Sequence, residues 1–330
     1  MILKRNGTDP ESLLYRLRYR AGEYCLRAFV LVLPWIPRRL LVLFTFMAGR
    51  ITFALLRKYR LRMEESILST MGKEFLDPKK RVELIRSAWR NFALGVCETA
   101  ELLHISKERI RSSVAMQGEE HLQRALAKGK GVVALSAHLG TFTMIGARLA
   151  ASGYAFSVVV KQPRDRRFAS LIDEYRSRVG QNTISAKPRR EAARQVLKAL
   201  RRNEVVLLIA DEFKSGGVEV EFLGRAVPAP RGPVTLALRA GAALLPMFVT
   251  RGPDDRLTLR IFPELDLVKT GDLQGDVYAN TALFTRQLAN MVRRYPDQWN
   301  WLGFHKNGRV SRAPKRMADL IDSRQQERIS

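Results

Sequence analysis

Cysteine and histidine are scarce in this chain, which has two cysteines and four histidines in 330 residues. Cys25 and Cys97 provide neither a disulfide framework nor a cluster of metal ligands. We therefore expect a protein of a reducing compartment that uses no metal and no cofactor. The amino-terminal stretch is charged and lacks an apolar central segment, so we also expect no cleavable signal peptide.

Long hydrophobic runs are missing as well. The two most apolar segments, residues 28–36 and 40–56, are interrupted by Pro34 and Arg50, and a span needs roughly 20 apolar residues. Arginines flank both segments, and apolar helices with basic flanks are typical of the interface of an anionic leaflet. We therefore expect residues 1–62 to form a helical, membrane-associated extension. The alternative is a pair of ordinary buried helices.

Acidic residues are outnumbered, because 32 Asp and Glu stand against 57 Lys and Arg, which gives a net charge of +25. This excess favours an anionic partner: nucleic acid, an anionic membrane surface, or an acidic carrier or substrate. The basic residues are spread over predicted helices and loops without a nucleic-acid-binding motif, so nucleic acid is not an expected partner. Hydrophobic residues make up 46% of the chain, enough for a sizeable core.

The periodicity of the apolar residues changes near residue 128. Earlier segments, such as residues 81–103, have helical spacing, whereas short β-branched runs alternate with helical stretches afterwards. We predict an α/β fold with a mixed, mostly parallel central sheet flanked by helices, occupying residues 63–312, and a polar tail at 313–330. The predicted strands are residues 131–137, 156–161, 204–210, 217–225, 242–251 and 257–265, and the predicted helices are residues 167–180, 189–203, 232–241 and 280–294.

His138 stands at the end of the buried run 131–137 and is followed closely by Gly140 and a helical stretch. In α/β proteins, ligands bind in the crevice at the carboxyl ends of the strands. A histidine in that position is a natural general base for acyl transfer. The other three histidines, His104, His121 and His305, have no such placement, and we interpret them as structural.

Five blocks of sequence occur in an order typical of one known family. Together they resemble the bacterial lipid A late acyltransferases and phosphatidylinositol mannoside acyltransferases, a branch of the lysophospholipid acyltransferase superfamily. The resemblance extends over residues 37–309. The blocks are KYRLRMEESI at 58–67, SAHLGTFTMIG at 136–146, residues 161–180, residues 209–248, and YPDQWNWLGFHKNGR at 295–309.

The resemblance implies that a fatty acyl group moves from a thioester donor, acyl carrier protein or coenzyme A, to a hydroxyl of a membrane glycolipid. His138 would deprotonate that hydroxyl, and an acid five residues later would stabilise the imidazolium. The family also implies an anionic membrane surface as a partner and the cytoplasmic face of the bacterial inner membrane as the location.

The chain departs from the family pattern at the acid, because Thr143 occupies its position, and Phe213 replaces a second acid in the fourth block. A threonine hydroxyl can accept a hydrogen bond from an imidazole but cannot neutralise its charge. Either another carboxylate therefore serves His138, or the enzyme is slow, or the fold serves as a non-catalytic lipid-binding protein. The candidate carboxylates, in order, are Asp211, Glu212, and then the weaker Glu98 and Glu101.

Several basic positions in the matching blocks favour binding of the phosphates of the lipid or the carrier, because the guanidinium fork suits phosphate. Gly232 begins a predicted helix whose first N–H groups suit an anion. Trp299 and Trp301, in contrast, are interpreted as core residues. The predicted substrate-binding positions are Arg176, Arg178, Arg225, Arg231 and Gly232.

Overall fold

The computed structural model describes residues 13–163, 165–213 and 216–304. Four helices come first, as expected from the apolar spacing. The start of the fourth is defined by Asp77, whose side chain accepts a hydrogen bond from the N–H of Lys79, and by Pro78 in the first turn. Proline is tolerated there because its missing N–H has no partner within the helix. The four are α1 (Leu13–Val32), α2 (Arg38–Leu55), α3 (Arg57–Met71) and α4 (Pro78–Glu101).

The rest of the described chain contains both strands and helices. The strands are β1 (Val114–Gln117), β2 (Val132–Ser136), β3 (Phe156–Val160), β4 (Gln181–Ser185), β5 (Val205–Ile209), β6 (Val218–Phe222), β7 (Arg225–Ala229), β8 (Ala243–Arg251) and β9 (Leu257–Ile261). The helices are α5 (Lys107–Ser113), α6 (Glu119–Leu126), α7 (Met144–Ala151), α8 (Arg166–Arg178), α9 (Arg189–Arg201), α10 (Gly232–Ala240) and α11 (Leu273–Arg294). The last helix begins seven residues before its predicted start at Asn280.

Seven strands form one sheet in the order β1-β9-β8-β2-β5-β3-β4. The five strands from β8 to β4 are parallel neighbours, and β9 pairs antiparallel with β8. The predicted mixed, mostly parallel sheet is therefore confirmed. β1, which the sequence analysis did not identify, pairs parallel with β9. The carboxyl ends of β2, β5 and β8 meet at one edge of the sheet, the edge where such folds bind ligands.

The two remaining strands, β6 and β7, form an antiparallel hairpin. Leu223 and Gly224 connect them, both with positive φ, at 51° and 76°. This combination is the two-residue turn whose twist matches that of paired strands. β7 was not among the predicted strands, although its first residue, Arg225, was the last of the predicted strand 217–225. Pro228 is compatible with β7 because a two-stranded hairpin leaves one side of each strand unpaired.

Helices cover both faces of the large sheet. On one face α3, α4, α9, α10 and α11 pack over alternate strand residues such as Leu135 and Leu244. On the other face α6 and α7 pack over Ala134 and Leu245. Every residue of β2 is buried, which explains why its sequence is a continuous apolar run without alternation.

The first two helices leave a large apolar surface uncovered. No residue of α2 is buried, and Trp35, in the turn between α1 and α2, is 85% exposed. Within the described ranges, no single helix has both the length and the apolarity of a membrane span. α2 and α3 reach that length and apolarity only when they are taken together, and the chain bends by 84° between them.

Candidate active site

His138 and Asp211 meet at the carboxyl edge of the sheet. β2 and β5 are in parallel register, with Ser136 beside Ile209, and each functional residue lies two positions beyond its strand end. His138 Nδ1 lies 2.8 Å from Asp211 Oδ1. The backbone N–H of His138 donates to Asp211 Oδ2 at 2.8 Å. The carboxylate thus contacts both the ring and the backbone of the histidine.

A third donor, from the carboxyl-terminal segment of the described chain, also binds the Asp211 carboxylate. The indole N–H of Trp299 donates to Asp211 Oδ2 at 3.0 Å. The side chain of Asp211 is only 3% exposed, whereas that of His138 is 31% exposed. An ionised carboxylate accepts hydrogen bonds only, so Nδ1 carries the ring proton and Nε2 is the nitrogen with basic character. The edge of the imidazole also contacts Phe142, at a ring-centroid distance of 4.9 Å.

The turn after His138 is held by the carboxyl-terminal segment of the described chain. The N–H of Gly140 donates to the carbonyl of Gln298 at 2.7 Å, and the N–H of Asn300 donates to the carbonyl of His138 at 3.0 Å. Gly140 has a φ of +59°, and a Cβ at this position would collide with the carbonyl oxygen of Val249. Only glycine satisfies both conditions without displacement of the chain.

Thr143, the residue at the family acid position, lies at the amino end of α7. Its Oγ1 is 2.8 Å from Oγ1 of Thr99 on α4. Glu212 follows Asp211 but is exposed. Glu101 pairs with Arg38 at 3.1 Å. Of the four candidate carboxylates, Asp211 is the one for which a contact with the imidazole is observed.

Glu98 belongs to a buried polar network that the sequence analysis did not anticipate. Its Oε2 accepts hydrogen bonds from Thr141 Oγ1 at 2.6 Å and from Arg251 Nη2 at 2.7 Å. Arg251 ends β8, and the side chain of Gln298 bonds both its N–H and its carbonyl, each at 2.8 Å. Because Thr141 lies three residues after His138, the network connects α4 and β8 to the turn that carries the histidine.

The predicted anion-binding arginines are dispersed over the molecule. Arg176 and Arg178 pair with acidic residues of their own helix, at 3.1 Å and 2.7 Å. Arg225 donates to Ser69 Oγ at 3.1 Å, and its guanidinium lies 4.9 Å from the ring centre of Phe304. Burial lowers the pKa of this guanidinium from its usual value. Arg231 and Gly232 are exposed at the start of α10.

Arg225 is connected to the His138 dyad through an aromatic cluster. The Phe304 ring under its guanidinium also contacts the ring of Trp299, at a centroid distance of 5.4 Å, and Trp299 bonds Asp211. Trp299 is buried, as expected for a core residue, but it has this polar contact in addition. His305 and the tail at 313–330 lie outside the described residues.

The sequence is similar to those of known proteins over most of its length. The profile described as "Bacterial lipid A biosynthesis acyltransferase" matches residues 11–306. The chain belongs to this family. The match covers nearly all of the described helices and strands, so the α/β domain and the amino-terminal helices are both part of the family's shared sequence.

Individual acyltransferases of known name are similar over most of the same region. The chain is 28% identical to phosphatidylinositol mannoside acyltransferase of Mycolicibacterium smegmatis, over 73% of this chain and 75% of that protein. It is 31% identical to the protein of that name from Mycobacterium tuberculosis, over 63% of this chain and 61% of that protein. It is 24% identical to the lipid A biosynthesis palmitoleoyltransferase of Escherichia coli, over 68% of this chain and 71% of that protein.

The chain is therefore an O-acyltransferase of the lipid A and glycolipid type. Within the described part of this acyltransferase, no group of three or more His, Cys, Asp and Glu side chains is arranged to hold a metal ion. The sheet edge carries a histidine whose ring contacts a buried carboxylate. This arrangement can take a proton from a bound hydroxyl and return it to a leaving group.

Proposed function

We propose that the acyltransferase moves a fatty acyl group from a thioester donor to a hydroxyl of a membrane glycolipid, with His138 as the general base. The observation that carries this proposal is the 2.8 Å contact between His138 Nδ1 and the buried Asp211 carboxylate. The contact assigns the proton of the neutral ring to Nδ1, so Nε2 can accept the proton of an incoming hydroxyl.

The reaction follows from this assignment. His138 Nε2 removes the hydroxyl proton as the acceptor oxygen attacks the thioester carbonyl, and a tetrahedral intermediate forms. Asp211 stabilises the imidazolium through the Nδ1 hydrogen bond. When the intermediate collapses, the C–S bond breaks and the imidazolium protonates the departing thiolate. The products are the acylated lipid and the free thiol of the carrier, which is acyl carrier protein or coenzyme A.

Asp211 replaces the acid that the family pattern places at Thr143. The hydroxyl of Thr143 interacts with Thr99, so it contributes to the packing of α7 against α4. A carboxylate supplied from β5 carries the charge that a threonine cannot carry. This geometry favours an active enzyme over a non-catalytic lipid-binding protein with the same fold. Arg225, which lies on the aromatic cluster behind Asp211, is the proposed contact for substrate phosphate among the five candidate positions.

We further propose that residues 1–62 associate with the cytoplasmic face of the inner membrane. The support is the apolar surface of α1 and α2, together with its exposed basic residues. Apolar area next to arginine is the combination that binds anionic leaflets. Under this proposal residues 63–312 form the catalytic domain and residues 313–330 a polar tail.

Vesicle binding by the full chain tests the membrane proposal. A double variant, Trp35→Ser with Phe44→Ser, removes two exposed apolar side chains from the amino-terminal surface. We expect binding to anionic vesicles to fall by about tenfold or more, since burying one such side chain contributes about 1.5–3 kcal/mol. The matched control, Leu76→Ser with Leu273→Ser, removes two exposed apolar side chains elsewhere. Equal binding by the two double variants would contradict the proposal.

Lipid mass spectrometry tests the proposed reaction. Cells that lack the gene should accumulate one glycolipid short of a single acyl chain, and the wild-type gene should restore it. The mass difference would identify both the acceptor and the chain length. A gene carrying His138→Ala should fail to restore the missing chain. Restoration by that variant would instead support the lipid-binding alternative.

A further inference from the structure

A cavity opens at the same edge of the sheet as His138. This basic cleft has a volume of about 1190 Å³ and lies between α2, α4, α5 and the turn from β8 to β9. Glu98 and Arg251 form part of its wall. Because both also bond Thr141, the wall of the cleft is continuous with the turn that follows His138.

The charges in the cleft are not balanced. Five arginines and four carboxylates line it. All four carboxylates already have an arginine partner: Glu98 pairs with Arg251, Glu101 with Arg38, Asp254 with Arg256, and Asp255 with Arg90 from outside the cleft. Arg39 and Arg109 also line the cleft, and their guanidinium groups have no ion pair in the described part of the chain. The cleft therefore offers two exposed guanidinium groups to a ligand.

Arg251 gives an independent indication of an anionic ligand. Its side chain is 6% exposed, and its Nε–H has no hydrogen-bond partner among the described residues. A buried donor without an acceptor is uncommon, because each such group destabilises the fold by about 1–3 kcal/mol. Arg251 can therefore donate one further hydrogen bond, from its Nε–H, to a ligand of the cleft.

One wall of the cleft is apolar and is continuous with the uncovered surface of α1 and α2. Leu33, Ile36, Leu41 and Val42 line it, and Trp35 beside them is exposed. A ligand that enters from this side would have an acyl chain adjacent to an anionic group. Phospholipids and phosphorylated glycolipids have this structure, whereas coenzyme A has phosphates without an adjacent apolar tail.

We propose that the basic cleft binds the phosphate ester of the membrane lipid acceptor, with Arg39 and Arg109 as its ligands. The assignment to the acceptor rests on the proposed function, while the binding of a lipid phosphate does not depend on it. The cleft volume is ample for a phosphorylated head group, since small-molecule pockets measure about 300–1,000 Å³. Binding there would hold the acceptor at the edge of the sheet that carries His138.

Calorimetric titration of the full chain in a non-ionic detergent tests the proposal. The probes are dihexanoyl-phosphatidylinositol, which has a lipid phosphate, and coenzyme A, which has the phosphates of a donor. The variant is Arg39→Gln with Arg109→Gln. The matched control is Arg201→Gln with Arg239→Gln, which removes the same charge from the exposed ends of α9 and α10. These ends precede β5 and β8 and therefore lie at the opposite edge of the sheet.

We expect the cleft variant to bind dihexanoyl-phosphatidylinositol about 30-fold more weakly, since each arginine near an anionic lipid contributes about 1 kcal/mol. The control variant should bind this lipid as the wild type does, and coenzyme A binding should be equal in all three proteins. Equal lipid binding by the two double variants, or absence of lipid binding by the wild type, would overturn the proposal. Weakened binding of coenzyme A alone would assign the cleft to the donor and overturn the acceptor assignment.

Acyl transfer measured on the same proteins separates this proposal from the proposed function. If the cleft variant loses lipid binding while the wild type catalyses no transfer, the binding of a lipid phosphate in the cleft stands and the catalytic proposal fails. If the wild type catalyses transfer and the cleft variant matches it in both lipid binding and acceptor KM, the cleft assignment fails and the catalytic proposal stands. When both are correct, the acceptor KM rises and kcat is retained, because neither arginine contacts the reacting atoms.

Discussion

Replacing Asp211 by asparagine should separate catalysis from folding. Oδ2 of Asp211 accepts from two donors, the His138 N–H and the Trp299 indole, whereas Oδ1 contacts only the ring at Nδ1. An asparagine therefore keeps more hydrogen bonds if its oxygen takes the Oδ2 position. Its NH₂ group then points toward Nδ1. That nitrogen must become the acceptor, and the ring proton moves to Nε2.

The consequence is a histidine in the wrong tautomer for catalysis. Nε2 would carry a proton when the hydroxyl arrives, and no carboxylate would stabilise an imidazolium. We expect kcat/KM to fall by about 10²–10⁴-fold, the usual contribution of a general base. The free energy of unfolding should fall by about 1.5–3 kcal/mol, because the hydrogen bonds at this position lose their charged acceptor. Asp211→Ala leaves three donors without a partner, so it should destabilise the fold more than Asp211→Asn does.

Acyl transfer by the purified full chain and its unfolding in denaturant provide the two readouts. Asp211→Asn should still unfold in one cooperative transition, at a lower midpoint than the wild type, while it loses activity. Activity of Asp211→Asn within threefold of wild type would refute the argument, because it would mean that the carboxylate does not determine the state of the imidazole. If Asp211→Asn fails to fold, Asp211→Glu takes its place in the assay. It keeps the carboxylate charge, so it should retain more activity than an Asp211→Ala variant.

Three further predictions concern neighbouring positions. Thr143→Glu should not raise the transfer rate, because Asp211 already supplies the charge and the contact with Thr99 would be lost; a clear gain in kcat would contradict this. Glu98→Ala should lower the free energy of unfolding by about 3–5 kcal/mol, since it leaves the buried Arg251 without its carboxylate; a loss below 1 kcal/mol would argue against a tight network. Burial, together with the nearby Glu101 and Glu98, raises the pKa of the Cys97 thiol to about 11. At pH 8 only about one thiol in a thousand is thus ionised, and thiol reagents should label it slowly until the protein unfolds.

The pattern of strands was accessible from the sequence because buried parallel strands leave continuous β-branched runs. The same reasoning anticipated that Asp211 would lie near His138, since both follow the ends of adjacent parallel strands. The contact is observed, while the catalytic roles of the two residues remain predictions. β1 was missed because its four residues are too few to show a period. The partner of β6 was missed because Pro228 and Pro230 interrupt the short apolar run that forms it.

The rest of the site depends on contacts that no local pattern reveals. Trp299 bonds Asp211 across 88 positions of the sequence, and Arg251 bonds Glu98 across 153. Polar residues such as these can be recognised as partners only when the fold brings them together. A single signal was available for Arg251, which is a charged residue at the end of a fully buried strand. Buried charges are almost always paired, so that position alone implied an acid opposite it.

The central claim is that His138 acts as a general base, and the most direct test is acyl transfer by purified His138→Ala. The side chain is 31% exposed at a strand end, so its removal should leave the unfolding midpoint close to that of the wild type. The account predicts a fall in kcat of at least about 100-fold with the fold retained. Transfer at the wild-type rate by a folded His138→Ala variant would contradict it.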